Sequence, residues 1–331
     1  MRVSKGKEFY NKYGTYIILI VLILFFAFAD GSILALDGKG FFSIGNFTNV
    51  LRTAAVYILF GCGMTFVMIS GKIDLSIGAI AALVGCSAAL LMAAGLGTIA
   101  ASVIAILIGC GCGWINGFVI AKLKVPFFIM TAGMMYAAAG IALFITKETS
   151  IGIRQNPDEV LVNFRFWGAE TILFGKIPSQ FIIAIIFFLI CLYVINNTKM
   201  GRYTYAIGSN EKTARLSGVN VDLYTILIFT LNGLAAGIAG LVLASRMLTG
   251  NPNVADGGYN IMAIAAAALG GTSLNGGVGK LGKTVVGAFV ICVISTGLNI
   301  LSVNSSVQKI VIGAVLIIVV AVDMIDKRRE N

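Results

Sequence analysis

Few residues in this chain are of a type and spacing that could do chemistry. Histidine is absent from all 331 residues, which removes imidazole general bases, imidazole metal ligands and histidine proton relays. The six cysteines, Cys62, Cys86, Cys110, Cys112, Cys191 and Cys292, all lie inside apolar runs. Cys110 and Cys112 are two apart, so on a helix they point away from each other. All six are expected to be small packing residues, forming neither a disulfide framework nor a metal site. No convergent nucleophile, base or metal cluster is present, so no catalytic residue, metal or cofactor is expected.

One stretch imitates a phosphate site. Gly277-Val-Gly-Lys-Leu-Gly282-Lys283-Thr284 matches GxxxxGK[ST], and it contains GxGxxG as well. A phosphate loop needs a buried strand before it and a soluble helix after it, so that backbone N–H groups converge on the anion. Here the glycines follow the apolar run Ala265–Leu269 and lead into another from Val285. No interval is long and polar enough for an α/β nucleotide domain. The expectation is a tight glycine turn between two membrane segments, with Lys280 and Lys283 facing the cytoplasm.

The remaining polar candidates sit in or beside apolar runs. Ser70-Gly-Lys-Ile-Asp74-Leu-Ser76-Ile-Gly78 is one polar break. Asp74, with Ser76 two residues on, either caps the apolar segment that follows or belongs to a passage through the membrane. Thr65, Asn116, Thr131, Asn232 and Asn299 lie within apolar runs. They either line a wet pathway for a polyhydroxylated solute or hydrogen-bond one helix to another.

The elements that must position these residues follow from composition. The chain is 58% hydrophobic and 11% charged, with mean hydropathy +0.96. A soluble domain is about 45–50% apolar and about 25% charged. Long apolar runs indicate a helical integral membrane protein. About ten spans are expected, near 15–36, 50–70, 74–95, 97–121, 126–146, 178–197, 222–248, 258–272, 281–301 and 306–324. Pro126 and Pro178 open two of them, where proline is tolerated. The eighth is short and bounded by glycines, as a broken or re-entrant segment would be. Ala27-Phe28-Ala29 before Asp30 resembles a signal-cleavage site, but the apolar run resumes at Ile33–Leu36, and a retained first span is the expectation. Gly109, Gly113 and Gly117 share one helix face, as do Gly233 and Gly237, which predicts close helix packing.

Net charge is +10. The basic residues lie between apolar runs, so membrane orientation explains them and nucleic acid is not an expected partner. Ten spans with both termini in the cytoplasm put about two thirds of the 24 Lys and Arg residues on that side, in line with the positive-inside bias. Residues 147–177 then form an extracytoplasmic segment and residues 198–222 a cytoplasmic one. Within the latter, Asn210 suits an N-cap, Glu211 the first turn and Gly218 the C′ position. Glu211 and Arg215 have the spacing and order of a helical ion pair. A helix so short needs something to dock against.

At this point the residues carry a resemblance. Gly71-Lys-Ile-Asp74-Leu-Ser76-Ile-Gly78 is similar to GGIDLSVG, and Val125-Pro126-Phe-Phe-Ile129-Met-Thr131-Ala-Gly133 to VPPFIxTLG. Ala206-Ile-Gly208-Ser-Asn210-Glu211-Lys-Thr213-Ala214-Arg215-Leu-Ser217-Gly218-Val219 resembles AxGxNxxAAxxSGI. Leu269-Gly-Gly-Thr-Ser-Leu274 with Gly276-Gly277-Val-Gly279 resembles LGGTSLxGGxG. Lys72, Phe127, Ala132 and Thr213 depart from these patterns, and so does the spacing beyond Gly279. Together the segments identify the chain as similar to the membrane permease subunits of ribose-type ABC sugar importers, from about Asn46 to Asp323.

The resemblance implies the ABC importer permease fold over residues 1–331 as one transmembrane domain in the bacterial plasma membrane. It also implies a second permease copy or a related permease, a cytoplasmic ABC ATPase subunit and an extracytoplasmic sugar-binding protein, with membrane lipid around them. ATP hydrolysis would belong to the separate ATPase. The coupling helix of that family maps onto Gly208, Asn210, Glu211, Ala214, Arg215 and Gly218. Monosaccharides such as ribose are the implied cargo, with nucleosides, quorum signals and branched-chain amino acids as near alternatives. An ion-coupled secondary transporter would keep charged groups inside its spans, which are almost free of them here. A membrane enzyme would need a catalytic cluster, and a scaffold would not need the framed helix.

Overall fold

The computed structural model describes residues 5–31, 40–153, 158–172, 175 and 177–328. In chain order its helices are α1 (Lys5–Ala29), α2 (Ile44–Ile69), α3 (Ile77–Ala93), α4 (Thr98–Lys122), α5 (Phe127–Thr146), α6 (Asp158–Arg165), α7 (Ser179–Asn197), α8 (Lys199–Ser209), α9 (Glu211–Leu216), α10 (Val221–Met247), α11 (Tyr259–Leu269), α12 (Leu281–Ile300) and α13 (Ser305–Arg328). Each of the ten expected spans overlaps one of these helices, although α1 ends at Ala29, short of the expected limit, while α6, α8 and α9 fall in polar intervals. Six helices, α2, α4, α5, α7, α10 and α12, are long and apolar enough to cross a membrane. The stretch Ile33–Leu36 lies outside the described residues.

Helix α2 is the axis of the bundle. From Ala54 to Ile69 every one of its residues is buried, and α10, α11, α12 and α7 pack around it. Helix α10 packs most extensively on α4, through the two glycine faces. A Cβ on Gly113 would strike the Phe229 carbonyl oxygen, and one on Gly233 the Gly109 carbonyl oxygen. The backbones therefore touch, as small-xxx-small faces allow. Helix α1 lies against α12: Phe26 and Ala27 are buried with Phe41 and Val293, and the Thr15 hydroxyl donates to the Leu269 carbonyl at 2.9 Å.

Two expected spans are incomplete helices. Helix α11 has 11 residues, about 16 Å of helix, against a hydrocarbon core of about 30 Å. The chain reaches it from α10 through a short strand at Thr249–Gly250 and a 3₁₀ turn at Pro252–Asp256, both packed along α3. Helix α3 begins late, because residues 70–76 fold back into the bundle first. Ser76 is hydrogen-bonded to Asn116 of α4 at 3.0 Å, six residues before the end of α4, or about 9 Å along it. Helices α3 and α11 thus start side by side inside the bundle, where a Cβ on Gly78 would lie 3.7 Å from that of Tyr259. They run toward opposite ends.

The segment 147–177 holds α6 and three two-residue strands. Ile151–Gly152 pairs with Thr249–Gly250, and Thr171–Ile172 with Ile177–Pro178, both antiparallel. It covers the bundle end opposite α9. There Ser245 Oγ donates to the Phe164 carbonyl at 2.7 Å, and Thr98 Oγ1 to the Val160 carbonyl at 3.0 Å.

Candidate translocation and coupling sites

Four of the seven predicted pathway residues come together. Asp74 is fully buried. Its Oδ1 accepts from the Ser76 backbone N–H at 2.8 Å and the Ser76 hydroxyl at 2.6 Å. Its Oδ2 accepts from Asn232 Nδ2 at 2.9 Å, and Asn116 Nδ2 completes the chain by donating to Ser76 Oγ. The cluster joins the re-entrant loop to α4 and α10. Asp74 is therefore not a cap at the membrane rim: the N-cap position of α3 is Ser76, whose side chain makes no capping bond. The Asn116 and Asn232 side-chain oxygens are buried without a hydrogen-bond partner, leaving two acceptors unspent beside the carboxylate.

The other three lie apart. Thr65 Oγ1 donates to the Gly61 carbonyl at 2.7 Å and shares a 2.8 Å contact with Thr284 Oγ1, which ties α2 to α12. Thr131 on α5 is buried, and its hydroxyl has no partner. Asn299 is exposed at the end of α12 and accepts from Gln308 Nε2 at 2.8 Å. The six cysteines are free.

The framed helix forms where its caps place it. Asn210 Oδ1 accepts from the Thr213 N–H at 2.9 Å. Gly218, at φ +83, closes the other end. Its N–H bonds to the Arg215 carbonyl and that of Val219 to the Ala214 carbonyl, both at 3.1 Å, in the manner of a left-handed glycine cap. Underneath, Ala214 packs with Ile207 and Val221. Gly208 brings α8 against the end of α2, since a Cβ there would enter the Ile69 carbonyl oxygen.

Charges tie α9 to its neighbours. Glu211 meets Arg215 at 3.6 Å and Lys72 of the re-entrant loop at 3.4 Å. Arg215 reaches Asp222 at 2.9 Å, and Asp222 also holds Lys124 at 3.0 Å and Lys122 at 3.3 Å. The Asp222 hydrogen bond holds the Arg215 guanidinium above its usual pKa. Burial pushes the Lys72 ammonium down, and the Glu211 carboxylate opposes the shift. The outer side of α9 is bare: Lys212, Thr213 and Ser217 are exposed, and Leu216 is 89% exposed.

Sequence reasoning missed three parts of this arrangement. Helix α8 went unread because Gly201 and Gly208 look like breakers; its sign was the helical spacing of Gly201, Thr204, Ile207 and Gly208. Asp222 was passed over, although an acid just past the N-cap Asn220 sits where a first-turn carboxylate is favoured. Thr284 was absorbed into the false phosphate pattern. In the structure α11 and a loop precede that pattern in place of a strand, and the Gly277 N–H is spent on the Ile69 carbonyl at 2.8 Å.

A helical bundle with broken spans, a buried cluster of one carboxylate, one hydroxyl and two amides, and a charged surface helix defines a multi-pass membrane transport protein. The family described as branched-chain amino acid transport system / permease component matches residues 46–320, and the chain belongs to it, as an ABC importer permease. It is 36% identical to the ribose import permease protein of Escherichia coli (strain K12) over 285 residues, 86% of this chain and 87% of that one. It is equally 36% identical to the ribose import permease protein of Bacillus subtilis (strain 168), over 95% of this chain and 92% of the relative. The L-arabinose transport system permease protein of Escherichia coli (strain K12) is 34% identical over 82% of this chain and 80% of its own length. No solved structure matches.

Proposed function

We propose that the chain forms the translocation pathway of an ATP-driven importer for a monosaccharide such as ribose or a related sugar. The relatives named for ribose and arabinose support that cargo. The family's description favours branched-chain amino acids as the second reading. The working unit pairs this permease with a second copy or a related permease. An extracytoplasmic sugar-binding protein delivers the solute to the end covered by residues 147–177, and a separate cytoplasmic ATPase supplies the energy. Ten membrane-inserted segments, with α3 and α11 as partial spans, place both termini in the cytoplasm. Along the pathway, the unspent acceptors of Asn116 and Asn232 and the hydroxyl of Thr131 suit exchange with sugar hydroxyls.

The observation that carries the reading is α9. It is anchored on its inner side to α8 and α10 and, through Lys72, to the re-entrant loop, yet it presents Leu216 at 89% exposure. A six-residue helix so held and so bare fits a lever for a soluble partner. The test is uptake of labelled sugar, with ATPase co-purification, in Leu216→Ser and in the pair Glu211→Ala with Arg215→Ala. Uptake is expected to fall at least tenfold, while membrane yield and thermal midpoint stay unchanged. Wild-type uptake in both variants refutes the lever. Uptake that runs on a proton or sodium gradient without ATP refutes the importer class.

A further inference from the structure

The chain between α10 and α11 runs through the bundle at membrane depth. A Cβ on Gly250 would meet Ala89 Cβ at 2.7 Å and the Gly85 carbonyl oxygen at 3.0 Å, and one on Gly78 would lie 3.6 Å from the Ala255 carbonyl oxygen. The chain therefore descends along α3 from the level of Gly85 and Ala89 to that of Gly78, on the order of 12 Å. From Gly78 to the end of α3 at Ala93 is about 22 Å of helix, and α11 covers about 16 Å in the other direction. The 3₁₀ turn Pro252–Asp256 thus sits near mid-membrane, inside a hydrocarbon core of about 30 Å.

That turn carries polar groups on its open side. Asn253 and Asp256 are exposed, and among the described residues neither side chain has a hydrogen-bond or ion-pair partner. Asp256 differs in this from Asp74, whose oxygens take three donors. Asn251 Oδ1 accepts from the Asn253 N–H at 2.9 Å, which fixes the turn without using the Asn253 amide. Helix α5 packs against the turn, and its Tyr136, midway along the helix, is 76% exposed. A carboxylate, an amide and a phenol at this depth are costly against acyl chains. Non-helical backbone is tolerated there only where protein buries it or it lines a water-filled space, and nothing in this chain buries the outer side of the turn. We propose that this face is a wall of the aqueous pathway, and that Asn253 and Asp256 bind the hydroxyls of the passing sugar.

The donor set suits a neutral polyol. Carboxylate oxygens accept from neighbouring hydroxyls, and an amide both donates and accepts. A phenol adds an apolar ring with a polar tip. An amino acid would bring its own carboxylate against Asp256, so this face favours a sugar over the second reading of the cargo. The sugar contact rests on the importer reading above; the aqueous wall requires only the fold. Neither residue is among the seven pathway positions expected from the sequence, because each lies in a polar interval that reads as an external loop.

The test introduces Asn253→Cys and, separately, Asp256→Cys into the complete importer, in membrane vesicles of both orientations. A small impermeant methanethiosulfonate reports water at each position, because the thiolate is the species that reacts. Leu107→Cys, on the exposed apolar side of α4, is the lipid-facing control. Both turn variants are expected to react on the order of tenfold faster than the control from at least one side, and added ribose or arabinose is expected to slow them severalfold. Rates equal to the control at both positions overturn the aqueous wall, since protein or lipid then covers the turn. Fast labelling that neither sugar slows overturns the sugar contact. Labelling is read without transport, so failure of the importer reading, seen as uptake without ATP, is a separate result.

Discussion

At the scale of residues, the decisive group is Asp74. A carboxylate inside a bundle is costly unless donors surround it, and three donors do: the Ser76 N–H, the Ser76 hydroxyl and Asn232 Nδ2. Removing the acceptor leaves those donors buried and unpaired. Asp74→Ala is therefore expected to cost about 1–3 kcal/mol of stability, read as a lower denaturation midpoint in detergent. Asp74→Asn keeps one acceptor oxygen and is expected to cost less; equal losses would mean that the charge, and not the hydrogen bonding, holds the site. The sequence exposed each member of this cluster as a polar residue in an apolar setting. It did not show that Asp74, Ser76, Asn116 and Asn232 meet while Thr65 and Asn299 stay apart. That grouping depends on how far residues 70–76 dip into the bundle, a tertiary property that local spacing does not encode.

Elements were legible where a local rule governs them. The N-cap of Asn210, the glycine cap at Gly218 and the 3.6-residue periodicity of the glycine faces are local, and the structure contains all three. Helix α8 carries the same helical spacing, but its glycines look like a turn while in the structure they serve contact with Ile195 and Ile69. The same contact logic yields a prediction for α4 and α10. Gly113→Val would force apart backbones that now touch at Phe229 and Gly233. Overpacking of this kind costs about 1–3 kcal/mol, so the thermal midpoint should fall. Gly111, with open space at its Cβ position, is the matched control, and Gly111→Val is expected to have a far smaller effect. Similar losses in the two variants would remove close packing as the role of that face.

For the molecule as a whole, the arrangement is polar from end to end. One end gathers α8, α9, the Gly270–Lys280 loop and the cations Lys72, Lys122, Lys124 and Arg215 around Glu211 and Asp222. The other carries α6 and the paired short strands. The orientation proposed above puts the first end in the cytoplasm, in line with the charge bias, and an even number of membrane-inserted segments goes with both termini there. Orientation is open to a direct test because the native cysteines lie within helices, four of them buried and two partly so. Cysteine introduced as Lys212→Cys on α9 and, separately, as Val162→Cys on α6 puts a reactive thiol at each exposed end. In intact cells an impermeant maleimide should label the α6 variant and spare the α9 variant, and inside-out vesicles should give the reverse. Labelling of both variants from one side would break the ten-segment topology. Labelling with the opposite polarity would turn α9 outward and remove any route from it to a cytoplasmic ATPase.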